Sequence, residues 1–363
     1  MKKFTLFICL VFSLKIIAQN PDSLSVTSLK ISGYIDVFYA YDFNAQKLSR
    51  QRLPFLYNHN RHNEFNLNFG YIKATVENNH YRANLAFHAG TYVNDNYANE
   101  PGVLKNIFEA NVGVALNKKK NLWLDAGIFP SHIGFESAIS IDNWTLTRSI
   151  LAENSPYYLS GARLNFLPTE NLEINFLVIN GWQHIERPQL NNSLPAFGTQ
   201  INYTFSEKIK LNWSTFAGSE FPDKGRRMRY FNNVYSQLNL TDKIGFITGF
   251  DIGFEQKDYG SNNYNFWYSP VIISRFKTSD KTAISARAEY YQDKNYVIIQ
   301  PLSTNSFSVM GYSLNLDYLP LENIALRVEG RWFSSENAIF NVAESNKRLN
   351  NNYFIVTSIA AKF

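Results

Sequence analysis

Apolar and polar side chains alternate along many short segments of this 363-residue chain. Between Met310 and Tyr318 every second residue is apolar, and the residues between them are glycine, serine, asparagine and aspartate. A period of two predicts a β-strand with one apolar face and one polar face. Aromatic residues make up 16% of the chain, yet mean hydropathy is only −0.26. Such strands can cross a membrane in a closed barrel, because the barrel satisfies its own backbone and shows lipid only every second side chain.

About sixteen such segments follow one another, each close to the roughly 10 residues that a tilted membrane strand needs. They span residues 29–42, 65–77, 80–90, 106–116, 121–130, 156–167, 172–181, 196–205, 208–217, 229–240, 243–255, 265–277, 282–292, 306–319, 323–333 and 352–363. Short polar turns alternate strictly with long connections rich in Asn, Asp, Ser, Gly and Pro, which is typical of outer-membrane barrels. We therefore predict an all-β fold, a transmembrane antiparallel up-and-down β-barrel of about 16 strands. A count of 14 or 18 would also leave a lumen.

The N-terminus is predicted to be a cleaved secretory leader. Lys2 and Lys3 precede an apolar stretch, and Ala18 precedes Gln19 at a suitable cleavage point. That stretch is shorter than the roughly 20 residues of a membrane anchor and is interrupted by Lys15. The predicted organisation is a signal peptide at residues 1–18, a short periplasmic lead-in at 19–28 and the barrel at 29–363.

Charge and cysteine content exclude several classes of function. Without the leader's three lysines the chain has 32 basic against 30 acidic residues, a net charge of +2, so a nucleic-acid partner is not expected. Cys9 is the sole cysteine and lies in the leader, so the mature chain would form neither disulfides nor thiolate metal sites.

The chain ends in a strand-forming segment, residues 353–363, with an aromatic final residue. This ending resembles the C-terminal recognition strand of bacterial outer-membrane barrels. The resemblance implies that Phe363 is the barrel-closing terminus and that the barrel assembly machinery is a partner reached through this strand.

The connection after the fifth segment, residues 131–155, carries more apolar residues than an exposed loop needs. Phe135, Trp144, Leu146 and Ile150 are spread through it. We predict that this loop folds into the lumen and buries these side chains against the inner wall.

Four blocks of sequence carry a more specific resemblance. They are GYIDVFYAYD at 33–42, GIFPSHIGFE at 127–136, the stretch 143–158 and NGWQ at 180–183. They resemble the OmpL-like β-barrel porin family of Gram-negative outer membranes, over nearly the whole mature chain and most densely between residues 29 and 185. The resemblance implies a passive channel integral to the outer membrane, without an agreed substrate. By analogy with general porins, the loop after the fifth strand is expected to constrict the pore.

Charged residues on this loop and on the inner wall are the candidate pore residues, since opposed charges in a narrow pore set ion selectivity. The loop residues are Glu136, Asp142, Arg148 and Glu153. The wall residues are Arg82, Glu109, Asp125, Arg163, Arg287, Glu289, Arg327, Glu329 and Arg331. For the loop charges two alternatives stay open, a role in permeation and structural ion pairs that pin the loop. The wall charges are expected to face lumen solvent, because a charge facing lipid costs about 2–4 kcal/mol at mid-bilayer.

Sequence motifs for catalysis or metal binding do not emerge. The six histidines lack His-Glu-x-x-His spacing, and there is no Gly-x-Ser-x-Gly elbow. The acidic segment 95–100 could offer oxygen ligands to Ca²⁺ or lipopolysaccharide but lacks EF-hand spacing, so a solvated loop is favoured. No enzymatic activity, cofactor or metal is expected.

The expected partners are outer-membrane lipids, lipopolysaccharide and small hydrophilic solutes, and the resemblance to porins adds a homotrimer. The tryptophans Trp123, Trp182, Trp213 and Trp332 are predicted to lie in the membrane-interface girdle, with sugar stacking in the lumen as the alternative. We predict a porin that forms a water-filled channel for passive diffusion of small hydrophilic solutes and ions. The alternative is an outer-membrane barrel that acts as adhesin, receptor or assembly partner, with its lumen closed by loops.

Overall fold

Sixteen antiparallel strands form one closed barrel in a computed structural model that describes residues 27–44, 52–188, 191–300, 306–342 and 345–363. Each barrel strand pairs with its neighbours in the chain, and the last barrel strand also pairs with the first. The barrel strands are Ser28–Asp42 (β1), Phe65–Glu77 (β2), Tyr81–Ala89 (β3), Ile107–Ala115 (β4), Leu122–Pro130 (β5), Tyr158–Thr169 (β6), Leu172–Ile179 (β7), Ala196–Ser206 (β8), Ile209–Gly218 (β9), Arg229–Asn239 (β10), Ile244–Gln256 (β11), Tyr264–Lys277 (β12), Thr282–Asp293 (β13), Phe307–Leu321 (β14), Ile324–Ser335 (β15) and Asn351–Lys362 (β18).

The predicted fold class is confirmed, and every predicted strand end lies within two residues of the observed one. One element is absent from the prediction. A small hairpin, Phe340–Val342 (β16) and Ser345–Leu349 (β17), lies in the last long connection and pairs only with itself.

Side chains alternate between the outside and the inside of the barrel. In β14, Met310, Tyr312 and Leu314 are exposed on the outside, whereas Ser313 and Asn315 are buried inside. The outer face can therefore contact hydrocarbon, while the strand ladders pair the backbone groups around the closed sheet.

The barrel closes between its first and last strands. The Phe363 amide donates to the Gly33 carbonyl at 3.0 Å, and the Gly33 amide donates to the Phe363 carbonyl at 2.7 Å. The Phe363 ring lies directly over Gly33, where a Cβ atom would approach the ring to 2.4 Å. Glycine at position 33 thus permits this close contact.

The described helices are short. They are Thr91–Asn96 (α1), Ile150–Glu153 (α2) and the 3₁₀ turns Gly102–Asn106, Ser140–Asp142 and Asp223–Gly225. Within the described ranges, none of them has the length and apolar character to cross a membrane. The predicted signal peptide, residues 1–18, and residues 19–26 of the predicted lead-in lie outside the described residues.

Apolar side chains line the inside of the barrel at the end where the long connections lie. The strands contribute, among others, Phe38, Phe129, Phe216, Phe231, Trp267, Phe307, Phe333 and Phe354. The connections add Leu53, Phe55, Leu56, Ile133, Leu146, Ile150, Ile299, Ile339 and Phe340. All of them are buried and form one cluster, so this half of the lumen is packed like the core of a soluble protein. We call this half the packed end and the opposite half the short-turn end.

Candidate pore and constriction loop

The loop between β5 and β6, residues 131–157, lies inside the barrel. Its backbone amides donate to inward-facing side chains of three strands, Leu146 to Asn315 at 3.0 Å, Thr147 to Glu329 at 2.6 Å and Ile150 to Glu289 at 2.6 Å. A loop without a regular ladder must find such partners, since unpaired buried amides are costly. The polar wall thus serves as its docking surface.

The start of the same loop is attached to the other side of the barrel. His132 donates from Nε2 to the Thr215 carbonyl at 2.8 Å, while its own carbonyl accepts from Gln200 and Ser214, each at 2.7 Å. Burial lowers the pKa of His132 to about 4, although the bond to Thr215 acts in the opposite direction. The loop is therefore attached both to β8 and β9 and to β13, β14 and β15.

Ion pairs on β13 and β15 hold the middle of the loop. The Arg287 guanidinium lies 2.8 Å from Glu329, and the Arg331 guanidinium lies 2.5 Å from Glu289, all with no exposed side-chain surface. Thr147 joins this network by donating its hydroxyl to Glu329 at 2.7 Å. We call the inward faces of β13–β15 the covered wall.

Arg327 belongs to the covered wall as well. It lies 2.7 Å from Asp317 and donates to the carbonyls of Ser140 and Asn143. The five predicted wall charges on these strands, Arg287, Glu289, Arg327, Glu329 and Arg331, face inward but are buried. Their expected exposure to lumen solvent is wrong, because the loop's own amides, carbonyls and hydroxyls take the place of water.

Three of the four predicted loop charges are also buried. Arg148 lies 3.2 Å from Glu153, and its guanidinium lies over the Tyr157 ring. Glu136 accepts hydrogen bonds from the amide and hydroxyl of Ser149. Burial raises the pKa of Glu136, and Arg287, 3.8 Å away, only partly opposes this shift.

Asp142 differs from the other loop charges. Its side chain is 43% exposed and pairs with Lys362 near the short-turn end of β18. Of the two alternatives for the loop charges, this geometry favours the structural ion pair for Glu136, Arg148 and Glu153.

The inward faces of β2–β7 have a different character, and we call them the hydrated wall. The Asp125 carboxylate accepts from Arg82 at 2.6 Å and from Arg163 at 3.0 Å. The arginine side chains are 25% and 27% exposed, while Asp125 is 2% exposed. The predicted wall charges Arg82, Asp125, Arg163 and Glu109 all lie on this side of the barrel. Arg82 and Arg163 are partly exposed, whereas Asp125 and Glu109 are buried, so the expected exposure to lumen solvent is wrong for the two carboxylates.

Lys73 is a wall residue that the sequence analysis missed. It lies 2.7 Å from Glu109, and its side chain is 22% exposed against 8% for the carboxylate. The sequence does indicate this position, because Lys73 lies in β2 two residues after the inward-facing Tyr71. Side chains two residues apart in a strand point to the same face.

Amide side chains continue the polar surface between these charges. Thr75 donates to Asn84 at 3.0 Å, Asn84 to Asn111 at 3.0 Å, and Asn111 to the Ile128 carbonyl at 2.8 Å. Asn84 and Asn111 are only partly buried. Amides that donate and accept along a wall can exchange their partners with water or with a passing polar solute.

Two cavities adjoin the loop. One of about 310 Å³ lies between residues 131–139 of the loop and the wall near Lys73 and Glu109. A second of about 700 Å³ opens at the short-turn end beside Trp144 and Arg275. These two cavities thus place accessible space along the hydrated wall and at the short-turn end.

A second inward loop covers the packed end and was not predicted. In the connection after β1, the amides of Tyr57 and Asn58 donate to Glu153 at 2.9 and 3.3 Å. The Phe55 ring packs against Phe307 and Phe333 with centroids 5.1 and 5.7 Å apart. The apolar residues of this connection could have predicted its inward position, because apolar residues also predicted that the loop after β5 folds into the lumen.

The tryptophans divide into two groups. Trp213 and Trp332 are exposed on the outside, as predicted for girdle residues. Trp123 and Trp182 are inside, so the girdle prediction is wrong for them. Trp123 lies beneath Arg82, and Trp182 packs edge-on against Phe216 and Phe231.

Other candidate sites find structural partners. The sequence favours a solvated loop over a Ca²⁺ site for the segment 95–100, but Asp95 accepts two bonds from Arg61, at 2.6 and 2.8 Å, and Glu100 is buried. The prediction of a solvated loop is therefore wrong for these two residues. Across the described part of the chain, no group of three or more His, Cys, Asp or Glu could hold a metal ion.

Comparisons with known proteins agree with this architecture. The model of the family described as "Putative beta-barrel porin-2, OmpL-like" matches residues 28–363. No curated protein matches the chain.

Several solved structures share the fold. The outer membrane channel DcaP of Acinetobacter baumannii is 10% identical, with a TM-score of 0.60 over 93% of this chain and 97% of that chain. The anion-selective porin from Comamonas acidovorans is 10% identical, with a TM-score of 0.62 over 93% and 100%. The trimer form of OmpT, an outer membrane protein of Vibrio cholerae, is 8% identical, with a TM-score of 0.58 over 93% and 99%.

Proposed function

We propose that this chain, which belongs to the OmpL-like β-barrel porin family, forms a channel for passive diffusion of small hydrophilic solutes and ions. It is an integral protein of the outer membrane. The observation that carries the proposal is the hydrated wall, a row of partly exposed charges and amides inside a closed sixteen-strand barrel. Barrels of 16 to 18 strands are wide enough for an aqueous path.

In this proposal the loop after β5 narrows the lumen by occupying one side of it. Glu136, Arg148 and Glu153 hold the loop in shape, and the covered wall holds it in place. Solutes then pass between the loop and the hydrated wall. The family and fold are those of channels, which are typically non-enzymatic, and we propose no catalytic role.

The purified protein in planar lipid bilayers tests this function. We expect discrete conductance steps and, in a liposome swelling series, faster entry of small neutral and charged solutes than of larger ones. A correctly folded, heat-modifiable barrel that produces neither conductance nor swelling would contradict the channel.

One observation favours a second candidate function. The packed end is filled by buried apolar residues from strands and connections, as expected for a lumen closed by loops. In that case the barrel would act as an adhesin, receptor or assembly partner. Conductance that stays absent even after the covering loop 52–60 is loosened would support this binding role.

Further proposals follow from the family and its structural neighbours. The outer face would contact outer-membrane lipids and lipopolysaccharide, and the C-terminal strand would engage the barrel assembly machinery during insertion. A homotrimer is proposed because a porin neighbour occurs in a trimer form. Chemical crosslinking in native membranes tests this assembly. We expect a ladder of gel bands that ends at three subunits.

We also propose that residues 1–18 are a signal peptide removed on export. N-terminal sequencing of protein from the outer membrane should begin at Gln19. A sequence beginning at Met1 would contradict this cleavage.

A further inference from the structure

We infer that the channel favours anions and that Arg82 and Arg163 set this preference. The inference rests on the proposed channel function. The evidence for this preference is the exposed fraction of the charged side chains on the hydrated wall. In its ion pairs with Asp125 and Glu109, the cation is more exposed to the lumen than the carboxylate.

The arginine pair provides the clearest case. Arg82 engages Asp125 through Nε and Nη2, at 2.7 and 2.6 Å, and Arg163 does so through the same two groups, at 3.2 and 3.0 Å. One carboxylate therefore neutralises only one of two guanidinium charges. In this arrangement the Nη1 edge of each guanidinium points away from Asp125, and five N–H donors per arginine leave capacity for a passing anion.

Aromatic rings hold both guanidinium groups in place. Arg82 lies over Trp123 with 4.6 Å between its Cζ atom and the ring centroid, and Arg163 lies 5.2 Å from the Phe129 centroid. Such stacking restricts the rotation of the arginine side chains and keeps each guanidinium group at a fixed position on the wall.

Other cations of the wall also reach toward the lumen, while Glu77, exposed at the short-turn end of β2, is a carboxylate that does so as well. Lys73 is more exposed than its partner Glu109. Lys210 of β9, on the same face as the inward Asn212, is exposed at the short-turn end. Glu173 of β7 is partly buried, and its oxygens accept from the amides of Asn165, Asn175 and Asn202.

The acidic residues of the loop do not offset this pattern. Glu136 is hidden against Ser149, and Asp142 is paired with Lys362. At Asp125 and at Glu109 a solute on the hydrated wall therefore meets the cations before the carboxylates. Small hydrophilic anions, such as chloride, carboxylates and phosphate, are the class this surface suits.

Reversal potentials of the full-length mature protein in a KCl gradient test the inference. The unmodified channel should have a chloride-to-potassium permeability ratio above one. R82Q/R163Q should lower that ratio at least about fivefold, because a single unit charge about 4 Å from an ion changes the ion's local concentration by roughly that factor even in water, and this variant removes two such charges. R82K/R163K, which keeps both charges, should keep the ratio above one.

Two further variants control for folding and for charge in general. D125N removes the buried carboxylate and leaves both arginines, so it should raise the ratio. K224Q/K257Q removes two positive charges from exposed loop positions and should leave the ratio unchanged.

The outcomes separate the selectivity from the channel itself. Conducting protein with a ratio of one or less, or R82Q/R163Q and K224Q/K257Q giving the same ratio, would overturn the anion preference while the channel stands. A silent bilayer with a heat-modifiable barrel yields no reversal potential and overturns the channel, and with it this inference.

Discussion

The hydrated wall and the covered wall carry the same kinds of charged residue and use them differently. On the covered wall Arg287 and Glu329 are fully buried and bind the loop. On the hydrated wall Arg82 and Arg163 pair with Asp125 but keep a quarter of their side chains exposed. The position of the loop, rather than the residue type, thus decides whether an inward charge supports the structure or meets a solute.

Breaking the covered wall should have the largest effect. In R287M the carboxylates of Glu289 and Glu329 stay buried with one cation fewer, which should cost about 3–5 kcal/mol of stability. The loop should loosen, so conductance should become larger and noisier. Urea titrations followed by the heat-modifiable gel shift measure the first effect, and single-channel recordings the second.

R163M is the matched control, since it removes an arginine from a partly solvated pair. The expected loss there is less than about 1 kcal/mol. Equal losses in R287M and R163M would show that the two walls do not differ.

Loosening the packed end should have the next largest effect. F55A removes a ring buried between Phe307 and Phe333, at a cost of about 3 kcal/mol. Because Phe55 belongs to the loop that covers the lumen, the open probability in bilayers should rise. F65A removes an exposed ring of the same size and should change neither quantity. An unchanged open probability in F55A would mean that this loop does not limit conduction.

Acid should weaken the attachment of the loop at His132. The pKa of this buried imidazole is lowered to about 4, below its ordinary value of about 6.5, so the folded protein favours the neutral form. The neutral imidazole contributes its full stability above pH 6.5 and loses it as pH falls toward 4, by about 1.4 kcal/mol per unit. Proteolysis of the loop in detergent should therefore speed up across this range. H132Q should flatten that dependence, and a profile identical to the unmodified protein would contradict the assignment.

Neutralising a hidden loop charge should have the smallest effect. E136Q should leave the chloride-to-potassium ratio unchanged, since the carboxylate is buried against Ser149 and Arg287. A marked shift in reversal potential would mean that Glu136 faces the permeating ions.

The strands are predictable from sequence because each one carries its own alternation of apolar and polar residues. Their order follows from the short turns, which force neighbours in the chain to pair. The inward loop after β5 is predictable for a similar reason, since Trp144, Leu146 and Ile150 are too apolar for an exposed connection.

What could not be predicted is which wall the loop covers. Arg163 lies between Ala162 and Leu164, and Arg287 lies between Ala286 and Ala288, so local sequence does not separate them. Their difference comes from contacts across the lumen, more than a hundred residues away in the chain, such as Arg287 with Thr147. Trp123 is a different case, because it lies two residues before the inward-facing Asp125 in β5 and the alternation of that strand already indicates its inward position.

Cysteine accessibility tests the difference between the walls most directly. The sequence has one cysteine, Cys9, in the predicted leader, so introduced cysteines report on single sites. N84C on the hydrated wall should react quickly with a charged, water-soluble thiol reagent and lose conductance as it does. S313C on the covered wall should react slowly, because the loop shields it. Rapid labelling of S313C with protection of N84C would contradict the account.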